Sequence, residues 1–272
     1  LFDPRLRGFA MPAQPPFRVV LAARPLPEDD AAIAFAPVTQ LAAWIRGGAL
    51  SSARLTEIYL ARIARLNGRL FAFATVTADL ARRQAAAADR EIAAGGWRGP
   101  LHGIPYAAKD ILDTAGIVTG WGAEPWRERV PDADAAVVRR LAEAGAVLLG
   151  KAACGALAFG DIWYGGRTRN PWNTEEGSRG SSAGSASAVG AGLCGFALGS
   201  ETLGSIVIPA ARCGTAGLRP TFGRVSRVGA MALCWSLDRI GPLARGVDDT
   251  ALVLAAINGF DPADEGSIAA PF

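Results

Sequence analysis

The sequence predicts an α/β protein whose sheet is covered by helices on both faces. Segments with helical and with strand-like spacing alternate from Thr39 to Asn258, which is the pattern of a sheet with helices packed on it. The apolar run Ala146–Leu149 indicates a buried strand. Half of the 272 residues are apolar and 19% are charged, so the chain can bury a large core. No internal repeat explains the alternation.

The first 37 residues differ from the rest of the chain. They contain seven prolines and no sustained periodicity, which predicts an extended arm over residues 1–37 wrapping a body that begins at residue 38. The arm lacks a basic start followed by an apolar stretch, so we expect no signal peptide and a cytoplasmic protein. No segment reaches the roughly 20 uninterrupted apolar residues of a membrane span.

The elements of the body follow from apolar spacing, caps and turn residues. Helices are predicted at Val38–Arg46, Ser52–Leu66, Ala78–Ala94, Asp134–Ala144 and Asp248–Ile257. Strands are predicted at Leu70–Val76, in a strand-and-turn unit at Leu101–Leu112, at Ala146–Leu149 with a stop at Gly150, and at Cys194–Leu198. Gly177–Gly192 should be a Gly/Ser turn feeding a helix whose small side chains allow close packing, and Gly199–Pro209 should be a tight loop.

Charge and cysteine content narrow the class of ligand. The net charge is +3, from 28 basic and 25 acidic residues without a single-sign block, which gives no electrostatic reason to expect nucleic acid or a membrane as the partner. The four cysteines form no C-x-x-C pair, so neither a zinc site nor a disulfide framework is indicated. We expect a small neutral ligand and no metal or cofactor.

A serine nucleophile is suggested by the G-x-S-x-G pattern centred on Ser182. The α/β-hydrolase turn with this pattern requires a histidine after the serine, but the single histidine, His102, lies 80 residues before it. A phosphate loop is also disfavoured, because no G-K-[ST] follows the glycines. A serine nucleophile in this chain therefore needs another base, and a neutral lysine is the known substitute.

Only two of the 28 basic residues are lysines, Lys109 and Lys151. A lysine retained among arginines can mark a site that needs a releasable proton, or can simply be a survivor of compositional drift. Burial can lower the pKa of a lysine by roughly 3 to 5 from its ordinary value of about 10.4, so such a base must be enclosed. Both lysines are attached to apolar strand-like segments, and the physics of the sequence favours neither.

Four segments together resemble the amidase signature family, in the family's order and with its approximate spacing, including 24 residues between Ser181 and Ser205. The segments are Leu101–Asp110, Gly180–Ala186, Leu198–Ile206 and Gly217–Thr221. The resemblance begins near Val38 and leaves the proline-rich arm uncovered. It implies a mixed central sheet covered by helices on both faces.

The resemblance also implies a Ser-Ser-Lys mechanism. Lys109 would be the base, Ser181 the bridging serine, joined to Gly180 by a cis peptide bond in family members, and Ser205 the nucleophile that forms an acyl-enzyme. Ser182 would support Ser181 in the turn, with helix capping as the alternative. His102 would be a turn residue, and Lys151 would lie near the site or cap local backbone.

The loop before Ser205 would form the oxyanion hole with the backbone N–H groups of Thr202, Leu203 and Gly204, together with that of Ser205. The commonest family pattern has Gly where Leu203 stands and Arg where Val207 stands. We therefore expect intact catalysis, an altered substrate pocket and the loss of a charged anchor near the nucleophile. Glu201 keeps the acidic residue of the pattern.

Family members are usually much longer than 272 residues. Residues 38–272 are therefore expected to form a catalytic domain without its C-terminal part, and the protein to form a homo-oligomer or to associate with the missing part. The predicted function is hydrolysis of a linear carboxamide in a small-molecule substrate. The alternatives are an amidotransferase A-type subunit that hydrolyses glutamine, an esterase using the same site, and an inactive amidase-like binding module.

Overall fold

The computed structural model describes residues 19–21, 24–270 and 272. The helices are α1 (Asp30–Ala34), α2 (Val38–Arg46), α3 (Ser52–Leu70), α4 (Ala78–Ala93), α5 (Ala136–Glu143), α6 (Ala183–Gly190), α7 (Val207–Cys213) and α8 (Val247–Ile257). The strands are β1 (Phe73–Val76), β2 (Pro105–Lys109), β3 (Val147–Ala152), β4 (Ile162–Trp163), β5 (Gly166–Arg167), β6 (Phe196–Glu201), β7 (Ala216–Gly217) and β8 (Arg239–Ala244). None of the helices in the described part is long and apolar enough to cross a bilayer.

Six strands form the central sheet in the order β1-β3-β2-β6-β8-β7. The three middle strands β3, β2 and β6 are parallel, whereas β1, β8 and β7 pair antiparallel with their neighbours. Helix α3 packs on β2 and β3, and α4 packs on β3. Helix α6 packs on β2, β3 and β6, whereas α7 and α8 pack on β7. The predicted α/β fold with a mixed sheet covered by helices is confirmed.

The core lies where the parallel strands meet the helices. Tyr106 of β2 and Phe196 of β6 are partners in register, are almost completely buried, and stack with ring centroids 5.3 Å apart. Residues Ala183–Val189 of α6 are all buried, and a Cβ on Gly184 would collide with the backbone at Ala72 and Ala153. The small residues of α6 therefore allow it to approach the sheet closely, as the sequence predicted.

The N-terminal arm lies largely outside the described residues. Its last part is helical rather than extended: Asp29 caps α1 by accepting hydrogen bonds from Ala31 N (3.0 Å) and Ala32 N (3.2 Å). Ile33 and Ala34 are fully buried. This end of the predicted arm is thus part of the core.

Among the predicted boundaries that differ from the structure, two affect the site. Strand β3 does not stop at Gly150 but continues to Ala152, because Gly150 pairs with Val76 of β1 and a Cβ there would collide with Thr75 O. Strand β6 continues to Glu201 by pairing with β8, and α7 begins at Val207. The predicted loop Gly199–Pro209 is therefore only the short segment between Glu201 and Val207.

Candidate active site

Lys109 ends β2 with a fully buried side chain. Its Nζ lies 2.8 Å from Ser181 Oγ, 2.8 Å from Ser200 Oγ and 3.4 Å from Ser200 O. Burial lowers the pKa of this amine, because removal from water disfavours the charged form. The arrangement can present a neutral amine to a serine hydroxyl.

Ser181 lies just before α6, joined to Gly180 by a cis peptide bond, and is fully buried. The next residue connects it to the predicted nucleophile: Ser182 N donates to Ser205 O over 3.1 Å. Lys109, Ser181 and Ser205 are thereby brought to one end of the sheet. The partly exposed Ser205 lies in the segment between β6 and α7.

Ser182 occupies the N-cap position of α6, but its side chain makes no capping hydrogen bond. Its hydroxyl instead accepts a hydrogen bond from Ser200 N and donates one to Ser200 O, each at 3.1 Å. This double contact fixes the end of β6, and with it Ser200, against the turn that carries Ser181. The support of the turn predicted for Ser182 thus runs through β6.

Ser200 itself was missed by the sequence reasoning. The predicted loop Gly199–Pro209 includes Ser200, but this residue lies in β6 and its hydroxyl accepts a hydrogen bond from the lysine amine. Continuation of the strand beyond Leu198 was the signal that would have revealed it, because β2 and β6 are parallel neighbours and Ala108 pairs with Leu198. The last residues of β6 therefore lie next to Lys109.

The segment between β6 and α7 carries the backbone N–H groups predicted to form an oxyanion hole. Gly204 has a φ of 103°, a conformation that glycine adopts without strain. Among the described residues, no hydrogen bond uses the N–H of Leu203, Gly204 or Ser205. These donors can receive the oxygen of a substrate carbonyl. The residue Leu203 is 80% exposed.

The carboxylate of Glu201 holds the other side of this segment. It is 1% exposed, and its Oε2 accepts hydrogen bonds from Ile206 N (2.8 Å) and Val207 N (2.9 Å). Its Oε1 accepts from Arg219 Nη1 at 3.2 Å. Glu201 therefore joins the start of α7 to Arg219.

A narrow cleft reaches Ser200 and Thr202 from the surface and is also lined by Met231, Trp235 and Asp238. Thr202 Oγ1 donates to Asp238 Oδ1 at 2.5 Å. The other oxygen of Asp238 accepts from Leu233 N (2.7 Å) and Cys234 N (2.8 Å). Asp238 thus attaches the loop before β8 to the predicted oxyanion segment.

Lys151 is also fully buried but lies elsewhere. It pairs in register with Ala108 on β2, and since adjacent strand residues face opposite sides of a sheet, it lies on the face away from Lys109. Its Nζ donates to Leu112 O, and to Thr114 Oγ1 and Thr119 Oγ1, both at 2.9 Å. Lys151 therefore organises the loop after β2 and takes no part in the serine cluster.

His102 is not brought to this site. It lies before β2, at the opposite end from Lys109, and its Nδ1 accepts a hydrogen bond from Arg98 N at 3.2 Å. Burial lowers the pKa of His102. Within the described ranges, no group of three or more His, Cys, Asp or Glu side chains is arranged to hold a metal ion.

Comparison with known proteins identifies the family of this chain. The family model described as Amidase matches residues 54–271. The chain is 48% identical over 220 residues to the A-type subunit of glutamyl-tRNA(Gln) amidotransferase from Roseiflexus sp. (strain RS-1), a match that covers 80% of this chain and 45% of that protein. The chain spans about half the length of the curated relatives it matches.

Solved structures show the same relationship. The native peptide amidase of Stenotrophomonas maltophilia is 45% identical with a TM-score of 0.82, over 86% of this chain and 50% of that one. A fatty acid amide hydrolase is 28% identical with a TM-score of 0.82, over 91% of this chain and 45% of that one. With the family model covering most of its length, the chain belongs to the amidase family.

Proposed function

We propose that this chain carries the catalytic centre of an amidase that hydrolyses the C–N bond of a linear carboxamide. The observation that carries the proposal is the 2.8 Å contact between the buried Lys109 Nζ and the buried Ser181 Oγ. A buried lysine without a carboxylate in its hydrogen-bonding shell has little reason to remain charged. It can therefore act as the base that the sequence lacks elsewhere.

In the proposed reaction, Lys109 accepts the proton of Ser181 while Ser181 accepts that of Ser205. The Ser205 oxygen then attacks the amide carbon, and the backbone N–H groups of Thr202, Leu203 and Gly204 stabilise the oxyanion. Ser181 returns a proton to the leaving nitrogen as the C–N bond breaks. Water, deprotonated through the same relay, hydrolyses the ester on Ser205 and restores the enzyme.

A second candidate is favoured by the curated relatives. Several of them, 46% to 48% identical to this chain, are named as the A-type subunit of glutamyl-tRNA(Gln) amidotransferase. The corresponding proposal is that the site releases ammonia from glutamine for a partner protein. Release of ammonia from glutamine in preference to simple aliphatic, aryl and peptide amides would favour this candidate, as would stable co-purification with a partner.

The curated relatives are longer than this chain, which matches less than half of the first of them. This difference suggests how the domain is organised. We propose that residues 38–272 form the front part of a catalytic domain, whose core also takes in α1 from the end of the predicted arm. In support of a further covering part, Leu203 and Trp235 near the cleft are 80% and 73% exposed. Association with that part, or with a second copy, would bury apolar surface beside the site.

Labelling with an alkyl fluorophosphonate tests the nucleophile without knowledge of the substrate. Intact-mass and peptide analysis should find one adduct, on Ser205, and none in Ser205→Ala. Ser236→Ala is the matched control, because Ser236 is exposed on the loop before β8 and should not affect labelling. Absence of an adduct on Ser205 would refute the proposal and favour the inactive binding module. Comparing hydrolysis of matched esters and amides separates esterase from amidase.

A further inference from the structure

Glu201 is the only side chain in the described part of the chain that accepts hydrogen bonds from the two N–H groups following Ser205. One carboxylate oxygen takes both, so its position fixes the backbone on the α7 side of the nucleophile. A buried carboxylate needs a compensating partner. The position of that partner then determines where the carboxylate rests.

Arg219 is this partner, and its own backbone is held firmly. It follows β7, and the preceding residue, Leu218, donates its N–H to Pro242 O of β8 at 3.0 Å. A Cβ on Gly241 would collide with Leu218 O, so the two segments are in close contact. The guanidinium is 48% exposed and lies against the 1% exposed carboxylate of Glu201.

From these contacts we propose that Arg219 is a positioning residue for the nucleophile segment, acting through Glu201. Arg219 holds Oε1 of Glu201, and Oε2 holds the N–H groups of Ile206 and Val207. Arg219 thereby anchors the start of α7 through a single carboxylate. The inference rests on the proposed function of Ser205.

The same contact has an electrostatic consequence at Lys109. Burial has the largest effect on the pKa of Lys109 and lowers it, whereas the nearby thiol of Cys154 and the negative charges of Asp238 and Glu201 act to raise it. The guanidinium of Arg219 offsets the charge of Glu201. Removal of the Arg219 charge should therefore make Lys109 harder to deprotonate.

No second arginine takes over this contact among the hydrogen bonds of the described residues. Arg239 is the strand partner of Glu201 on β8, but its guanidinium donates to Leu237 O instead. The carboxylate of Glu201 therefore depends on Arg219 for its positive partner.

The test measures fluorophosphonate labelling of Ser205 in the full chain as a function of probe concentration and pH. In Arg219→Met, the maximal labelling rate should fall roughly 10- to 100-fold, as expected for a misplaced reacting group, with little change in the concentration for half-maximal rate. The pH at which labelling rises should move upward. Arg219→Lys should restore the pH dependence and part of the rate, because it keeps the charge.

Two further variants separate positioning from a general loss of structure. Glu201→Gln should also slow labelling but should move the pH dependence downward, since it removes the negative charge near Lys109. Arg82→Met removes the exposed pair with Glu57 and should match the wild type. Adding Arg219→Met to Glu201→Gln should have little further effect.

The outcomes distinguish this inference from the function on which it rests. A wild-type chain that is not labelled at Ser205 overturns both. A labelled wild type together with Arg219→Met of unchanged rate and pH dependence overturns only the inference. So does a pH shift of the same sign in Arg219→Met and Glu201→Gln. If Arg219→Met fails to fold by circular dichroism, Arg219→Lys and Glu201→Gln decide by the same criteria.

Discussion

The two lysines of this chain lie on adjacent strands and are both fully buried, yet their surroundings differ. Lys109 contacts two serine hydroxyls and one carbonyl. Lys151 contacts one carbonyl and two threonine hydroxyls and has the carboxyl group of Asp110 nearby. Burial lowers the pKa of both amines, but Asp110 opposes this at Lys151 and leaves its pKa at about 8.

The difference teaches that burial alone does not mark which lysine is the better candidate for a catalytic base. At Lys151, the buried Asp110 is in the reverse situation: its pKa is raised to about 7 by burial and lowered by the amine. Each group favours the charged form of the other, so the pair is suited to stabilising the fold. At Lys109 one of the bonded hydroxyls belongs to Ser181, and the next residue, Ser182, contacts Ser205 through the backbone. In the proposed mechanism, the neutral amine of Lys109 can therefore accept a proton from Ser181.

Replacing Lys109 should have the largest effect on activity. Lys109→Arg and Lys109→Ala should both reduce Ser205 labelling and amide turnover by roughly 10²- to 10⁴-fold, because a guanidinium cannot accept a proton and alanine has none to exchange. Lys151→Arg is the control, because Lys151 takes no part in the serine cluster and this change should reduce labelling far less. If Lys109→Arg retained near-normal rates, the distinction between the two lysines would be lost.

Replacing Lys151 should have the largest effect on stability. Lys151→Met leaves Thr114, Thr119 and Leu112 without their donor and Asp110 without its cation. The expected loss in the free energy of unfolding is roughly 3 to 5 kcal/mol, measured by urea denaturation. The double variant with Asp110→Asn should recover part of it. A loss below about 1 kcal/mol, the range of an exposed pair, would contradict the structural role.

The pH dependence should report Lys109. The folded protein holds its pKa below the ordinary value because burial penalises the charged amine, and catalysis needs the neutral form. Labelling of Ser205 should therefore be low in acid and rise as the pH passes through this lowered pKa. The rise should lie well below about pH 10.4, the ordinary value for lysine. A flat profile into acid would show that the amine is not the base.

Ser200 should give the smallest of these effects. A neutral amine has two N–H bonds and one lone pair, so donation to Ser200 Oγ helps direct the lone pair at Ser181. Ser200→Ala should slow labelling about tenfold, corresponding to one hydrogen bond of about 1.4 kcal/mol. Ser200→Thr keeps the hydroxyl and serves as the control. Equal rates in Ser200→Ala and the wild type would remove Ser200 from the relay.

Local sequence was sufficient to predict several helices and strands. Val38–Arg46 was predicted with the bounds of α2, and α4 differs from its prediction by one residue at its end. These helices have apolar residues at helical spacing and clear ends, which are properties of neighbouring residues. Strand β8 was not predicted. It contains Gly241 and Pro242 and exists because β6 and β7 pair with it from either side.

The order and spacing of the motifs determined the family and the candidate roles of Lys109, Ser181 and Ser205 from sequence alone. Only the tertiary structure shows that Lys109, and not Lys151, is the lysine next to the serines, because strand alternation and register place the two side chains on opposite faces of the sheet. The contacts of Ser200 with Lys109 and of Arg219 with Glu201 also required it. These pairs lie 91 and 18 residues apart, and no local pattern encodes such distances, because sheet pairing creates them.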